Sequence, residues 1–193
     1  MYRQVFLLGA ATLAVALTAA AQLNVGSAVP DFKLQDVAGR EVSYSSLKGD
    51  TTVLTFIATK CPISNDYNER MKAIYNDYAA KGVKFVFINS NATEPAEDVA
   101  SHSKSNGFAF SVYKDHGNVV ADTFGAQVTP ESYVIDKSGT IRYHGYIDDS
   151  RNAANVKNQG LRLAIDAVMA GRAVPNPQTK AFGCTIKRAK KTT

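Results

Sequence analysis

The feature that most narrows the fold is the run "TTVLTFIA", residues 51–58. A strand with one wet face alternates apolar and polar residues, whereas this β-rich run has few polar positions. It therefore reads as a strand buried on both faces, at the centre of a sheet. "VKFVFINS", residues 83–90, reads the same way. Between them, from Pro62 onward, Ile63, Tyr67, Met71, Ile74, Tyr75 and Tyr78 recur at three- and four-residue steps, and Lys81-Gly82 supplies a stop. That spacing predicts a single amphipathic helix with Pro62 in its first turn, where a missing N–H costs little.

The rest of the chain is placed around this unit. "NVGSAVPDFKLQDVAGREVSYSSLKGD" breaks into short alternating runs punctuated by Pro30, Gly39 and Gly49, and predicts a hairpin leading in. "TEPAEDVASHSKSNG" predicts a helix opened by Thr93 and acidic residues and closed by Asn106-Gly107. "FSVYKD" is a short strand and "VVADTFG" a short helix, after which "ESYVID" and "TIRYHGYI" are strands joined by a turn at Lys137-Ser138-Gly139. A last helix is expected from Asn155 to Ala170, closed by Gly171. The tail "VPNPQTKAFGCTIKRAKKTT" has no apolar periodicity and is expected to lie across the body as an arm. No internal repeat or second domain is visible. This order predicts an α/β, thioredoxin-like fold: a central mixed sheet flanked by helices, with an N-terminal β-hairpin extension and a C-terminal arm.

Residues 1–21 have a lone basic residue, Arg3, then an uncharged apolar stretch from Val5 that ends in Ala19-Ala20-Ala21. This is the layout of a secretory signal peptide. An uncleaved membrane anchor is the other reading, since the stretch is near the lower limit for spanning a bilayer; the small residues at its end favour cleavage. The division expected is thus 1–21 signal peptide, 22–174 redoxin-type domain and 175–193 arm with a basic tail, in a protein exported to the periplasm or beyond the cell. The formal charge of +5 is concentrated at the ends, in Arg3 and in Lys187, Arg188, Lys190 and Lys191. A near-neutral body with a short basic tail excludes a nucleic-acid platform.

The chemistry centres on Cys61, where a buried strand gives way to Cys-Pro and a helix. Only the thiolate is nucleophilic, and the first N–H groups of a helix stabilise that anion. An accessible Cys61 is therefore expected to titrate below a free thiol, with Lys60 adding positive charge. Ser64 stands where a Cys-x-x-Cys pair would have its second cysteine. Its hydroxyl has two open roles: a donor to the sulfur, or an ordinary first-turn residue. Cys184 is the other cysteine of the chain, next to the conformationally free Gly183. Three arrangements stay open for the two thiols in an oxidising compartment: a structural staple, a redox-active pair, or no pairing. Thr129-Pro130 precedes the strand "ESYVID" and, in this topology, stands opposite Cys61.

The segments "TFIATKCPISNDYNERM", "GVKFVFINSN", "FGAQVTPESYVID", "YHGYIDD" and "VPNPQTKAFGCTIKR" together resemble the peroxiredoxin-like redoxins, relatives of the AhpC/TSA group in the thioredoxin superfamily. The resemblance runs from Val25 to Arg188. It implies a redox-active thiol at Cys61, around which Thr59, Lys60, Pro62 and Ser64 are the thiolate-supporting candidates. It further implies Cys184 as the candidate resolving thiol, and Thr129 with a cis Pro130 as the backbone surface for a substrate's extended chain. Peroxidases of the group carry a threonine three residues before the reactive cysteine and a proline seven before, where this chain has Ala58 and Leu54. Thr59 is one place off, and Thr129-Pro130 stands where their arginine would be. Peroxide reduction depends on hydrogen bonds that align the O–O bond at the sulfur. The departures therefore weigh toward thiol–disulfide exchange, with thiol peroxidase activity as the alternative.

The implied partners are protein or small-molecule thiols and disulfides, peroxide under the alternative, and an external thiol reductant. No cofactor and no metal are expected. A non-enzymatic metal or haem-assembly accessory is the third reading, but His102, His116 and His144 have no metal-type spacing. Asp66, Glu69, Asp148 and Asp149 are within reach of a proton-shuttle role by position, and each is expected as a solvated surface group. Phosphate cradles and serine-hydrolase motifs are absent.

Overall fold

The computed structural model describes residues 22–190. The proposed signal peptide, residues 1–21, and the last residues of the basic tail lie outside the described residues. The run that anchors the sequence reading is β3 (Thr51–Phe56), buried at every position. It pairs in parallel with β4 (Lys84–Asn89) on one side and antiparallel with β7 (Glu131–Asp136) on the other, so the sheet is mixed as expected. With β1 (Lys33–Gln35), β2 (Glu41–Ser43), β5 (Val112–Lys114) and β8 (Ile141–Gly145), it forms a seven-stranded sheet in the order β2-β1-β5-β4-β3-β7-β8. β1 and β2 are the predicted hairpin, with Leu34 opposite Val42.

Because successive side chains of β3 point to opposite faces, one strand feeds two cores. Val53 packs with Tyr67, Met71, Ile74, Val134, Leu161 and Ile165 on one face. Leu54 and Phe56 pack with Leu34, Phe124, Tyr133, Ile135 and Ile186 on the other. Each aliphatic side chain buried this fully contributes about 1.5–3 kcal/mol. The helices covering the first face are α2 (Asn68–Ala79), α3 (Ala96–Ser105) and α5 (Gly160–Met169); α4 (Val119–Phe124) lies on the second. Both ends of the described chain reach α4. Leu23 N–H donates to the Thr123 carbonyl, and Arg188 pairs with Asp122 at 2.9 Å.

Three predicted boundaries are corrected. The helix beginning at Pro62 is two helices, α1 (Pro62–Asp66) and α2, broken at Tyr67 with φ −93° and ψ −4°. Tyr67 is drawn inward, its hydroxyl donating to Asp148 Oδ1 at 2.9 Å and to the Ser150 carbonyl at 3.0 Å, with the Arg70 guanidinium 3.7 Å above its ring. α3 begins at Ala96 after Pro95, not at Thr93; Glu94, just before it, is turned into the protein. The last helix begins at Gly160, not Asn155. A 3-10 turn at Ala153–Asn155 comes first, and the chain enters α5 where a Cβ on residue 160 would sit 2.6 Å from the Tyr143 hydroxyl. The tail, expected without regular structure, contributes β9 (Cys184–Thr185), antiparallel to β6 (Val128–Thr129).

Candidate active site

Cys61 is the residue that leads into α1, in extended conformation with φ −89° and ψ 116°, and Pro62 fills the first helical position as predicted. The Cys61 sulfur accepts a hydrogen bond from the Ser64 backbone N–H at 3.2 Å. It also lies 3.5 Å from the Thr129 carbonyl oxygen, so strand β6 does stand opposite the cysteine. Cys61 and Cys184 are joined by a disulfide across a Cα–Cα distance of 5.8 Å. Thr129 faces Cys184 in the β6–β9 register, and the Thr129–Pro130 peptide is cis. Gly183 is pressed so closely on β6 that a Cβ there would overlap the Thr129 carbonyl.

Pro62 stands where the sequence placed it, and Ser64, Lys60 and Thr59 make the following contacts. Ser64 meets the sulfur through its main chain; its fully buried hydroxyl accepts from Ala58 N–H at 3.1 Å instead. The Lys60 ammonium is bound to Asp98 at 2.7 Å on the surface, and that hydrogen bond raises its pKa. Its charge is shared with that carboxylate. Thr59 acts through its main chain: its N–H donates to Glu94 Oε2 at 2.8 Å, and its carbonyl accepts from the Asn65 amide at 3.0 Å. The Lys60 N–H donates to the other Glu94 oxygen at 3.0 Å.

Glu94 was not singled out from the sequence, and it is the centre of a buried clamp on the loop before Cys61. Burial pushes its carboxyl pKa up, but donors from Thr59, Asn89 and Lys60 more than offset this and leave it below the usual range. Lys114, only 4% exposed, lies beneath it, donating to Asn89 Oδ1 at 2.6 Å and to the Glu94 carbonyl at 2.6 Å. Burial lowers the Lys114 pKa, against the attraction of Glu94 and Asp115. Residues that break the apolar pattern of strand "FSVYKD" and precede helix α3 were the available signal.

A second pair, buried Glu131 with part-exposed His144, follows the cis proline. Glu131, which follows Pro130, receives the Gln127 and Val128 N–H groups on one oxygen and His144 Nε2 on the other at 2.5 Å. Burial raises its pKa, and His144 with the two N–H donors carries it back below the ordinary value. The His144 ring stacks on Tyr133 at 4.3 Å, and both members of the pair line an open cleft of about 530 Å³ with Val128 and Thr179. The other histidines stand elsewhere. His102 bonds Asn65 Oδ1 at 2.9 Å, its pKa lowered by burial, and His116 is exposed in a turn. Among the described residues no three His, Cys, Asp or Glu side chains are grouped to hold a metal ion.

Of the four acids expected at the surface, Asp66 pairs with Arg151, Glu69 with Lys72 at 2.9 Å, and Asp149 is exposed. Asp148 is a correction: it is 4% exposed, bound to Arg70 at 2.7 Å and to Tyr67. It holds the break between α1 and α2 and is committed to that contact.

Residues 25–144 match the AhpC/TSA family model. The chain belongs to the AhpC/TSA family. The matched span includes Cys61, Pro130, Glu131 and His144 and stops before Cys184, so the second sulfur is supplied by the arm outside it. Among relatives of this family member, the thiol-disulfide oxidoreductase ResA of Geobacillus thermodenitrificans is 30% identical over 118 residues, 61% of this chain and 67% of the relative. A solved structure of an uncharacterized conserved protein from Geobacillus kaustophilus superposes with TM-score 0.82 at 33% identity, covering 89% of this chain and 95% of that one. A putative thiol:disulfide interchange protein DsbE from Chlorobium tepidum superposes with TM-score 0.57 at 26% identity, covering 64% of this chain and 85% of its own. The fold is thioredoxin-like.

Proposed function

We propose that the chain is a thiol–disulfide oxidoreductase whose working couple is Cys61 and Cys184, cycling between the disulfide and the dithiol. The observation that carries this reading is the position of the disulfide: one sulfur at the start of a helix, bonded to a main-chain N–H that favours its thiolate form, within a family whose relatives bear that name. Each reduction takes two electrons from a thiol donor, and each oxidation returns them to a disulfide. Thr129 and Pro130 are buried beside the couple, and the arm strand β9 occupies the Thr129 edge expected for an extended substrate chain; an external thiol reductant closes the cycle.

The reading includes export, with residues 1–21 as the removed leader, residues 22–174 as the redoxin domain and 175–193 as the arm. Among the described residues no helix is long and apolar enough to cross a membrane. N-terminal sequencing of the mature protein tests the leader; a chain still beginning at Met1 rejects cleavage. Redox titration against glutathione or dithiothreitol buffers tests the chemistry. A single reversible two-electron transition, lost in both Cys61→Ser and Cys184→Ser, is expected. A disulfide that survives all such buffers in the folded protein is a staple, and the proposal fails.

A further inference from the structure

We propose that external thiols and disulfides exchange at Cys184, and that Cys61 is the sulfur that leaves and resolves within the protein. The inference rests on the redox reading above and assigns the order of events within it. Thiol–disulfide exchange is an in-line displacement, so the incoming thiolate needs open space at the sulfur it attacks, on the side away from the sulfur that leaves. Access and leaving-group stability then decide which of two sulfurs is struck.

Access separates the two cysteines. Cys61 is 4% exposed, and the Ser64 N–H and Thr129 carbonyl already lie against its sulfur at 3.2 and 3.5 Å. Cys184 is partly exposed, on a two-residue strand that pairs along one edge only among the described strands. Departure of Cys61 is aided by the Ser64 N–H, which its sulfur keeps as it takes up charge, and opposed by the Thr129 carbonyl oxygen, so access carries the assignment. Among the described residues no hydrogen bond reaches the Cys184 sulfur.

The arm does not depend on the disulfide for its place. Before Cys184, Thr179 N–H donates to the His144 carbonyl at 2.9 Å, and its hydroxyl lies 2.8 Å from the Tyr143 hydroxyl. After it, Ile186 is 3% exposed in the second core with its N–H on the Gln127 carbonyl at 2.9 Å. Lys187 and Ala189 N–H groups donate to the Asn91 and Asn118 side chains, both at 2.7 Å. Reduction therefore leaves Cys184 over Cys61, and the covered sulfur stays covered.

In the reducing direction a donor thiolate attacks the Cys184 sulfur. A donor–Cys184 disulfide forms, the Cys61–Cys184 bond breaks, and its electron pair goes to Cys61 as thiolate. A second donor thiolate then attacks the donor sulfur of the mixed disulfide, so the donor leaves oxidised and Cys184 becomes a thiolate. Protons lost by the donor thiols and gained by the couple pass through solvent. In reverse, Cys184 attacks a substrate disulfide and Cys61 displaces the substrate thiolate from the mixed disulfide.

The test uses the oxidised, unmutated protein and glutathione as the donor. After millisecond mixing and acid quench, free thiols are blocked with N-ethylmaleimide and the cysteine peptides are weighed. At the earliest times glutathione is expected on Cys184 and maleimide on Cys61, in excess over the opposite pattern by about tenfold. The opposite pattern overturns the order proposed here and leaves the redox couple standing. A disulfide left intact at every time, with no free thiol and glutathione on neither cysteine, overturns both.

Discussion

The loop that carries Cys61 is held by side chains, whereas the arm that carries Cys184 is held mostly by its own backbone. Glu94 grips two consecutive N–H groups of the loop and Asn65 grips the carbonyl between them, with Lys114, Asn89 and His102 behind. The arm instead adds a short strand to β6, with Ile186 sunk into the second core and Phe182 packed at the margin of the first. A clamp of buried charges fixes geometry narrowly and is costly to lose, because each remaining charge or N–H is left without its partner. Strand addition asks little of the side chains, so its demands fall on a few positions such as Gly183 and Ile186.

That contrast can be broken from the clamp side first. Glu94→Ala strands the Thr59 and Lys60 N–H groups and the Asn89 amide, and removes a carboxylate that attracts the buried Lys114 ammonium; a loss of about 3–5 kcal/mol in urea unfolding is expected. A loss of only a few tenths would mean the loop is held otherwise. On the arm, Ile186→Ala is expected to cost about 2 kcal/mol, near the low end for such truncations because one flank of the arm can settle. The same variant should re-form its disulfide more slowly after reduction, which rapid alkylation measures.

Glu131 sharpens the comparison, since it supports the strand that receives the arm. Its folded pKa is depressed, so the stability from its ionised form is complete above the unfolded value of about 4.3 and is lost as pH falls through the folded one. Glu131→Gln should therefore flatten the acid limb of stability against pH below that point; an unchanged limb would remove Glu131 from the account. The smallest effect belongs to Lys60→Ala. With its ammonium on Asp98 at the surface, reduction by glutathione should change by no more than about twofold. A large fall would restore the lysine to the thiol.

What the sequence made legible was set by local pattern. The unalternating run of β3 announced a central strand, and Cys61-Pro62 announced the start of a helix at its end. The hairpin and the facing position of Thr129 followed from element order. The clamp was not legible, because a buried Glu94 or Lys114 reads as a surface charge until its partners are folded around it. Tyr67 breaks the first helix for the sake of Asp148, which is 81 residues away. β9 escaped because two residues carry no periodicity, and their pairing depends on where β6 presents its edge. For Ser64 the sequence left two roles open: position along a helix identifies a residue, while the folded loop decides whether hydroxyl or main chain reaches the sulfur, and here it is the main chain.

The meeting of both chain ends at α4 bears on how the molecule can be observed. Dyes attached at residues 22 and 190 would occupy one corner, so energy transfer between them should be strong in the native protein and should collapse on denaturation. Such a pair reports whether the last residues peel away from that short helix, with no reference to the sulfurs at all.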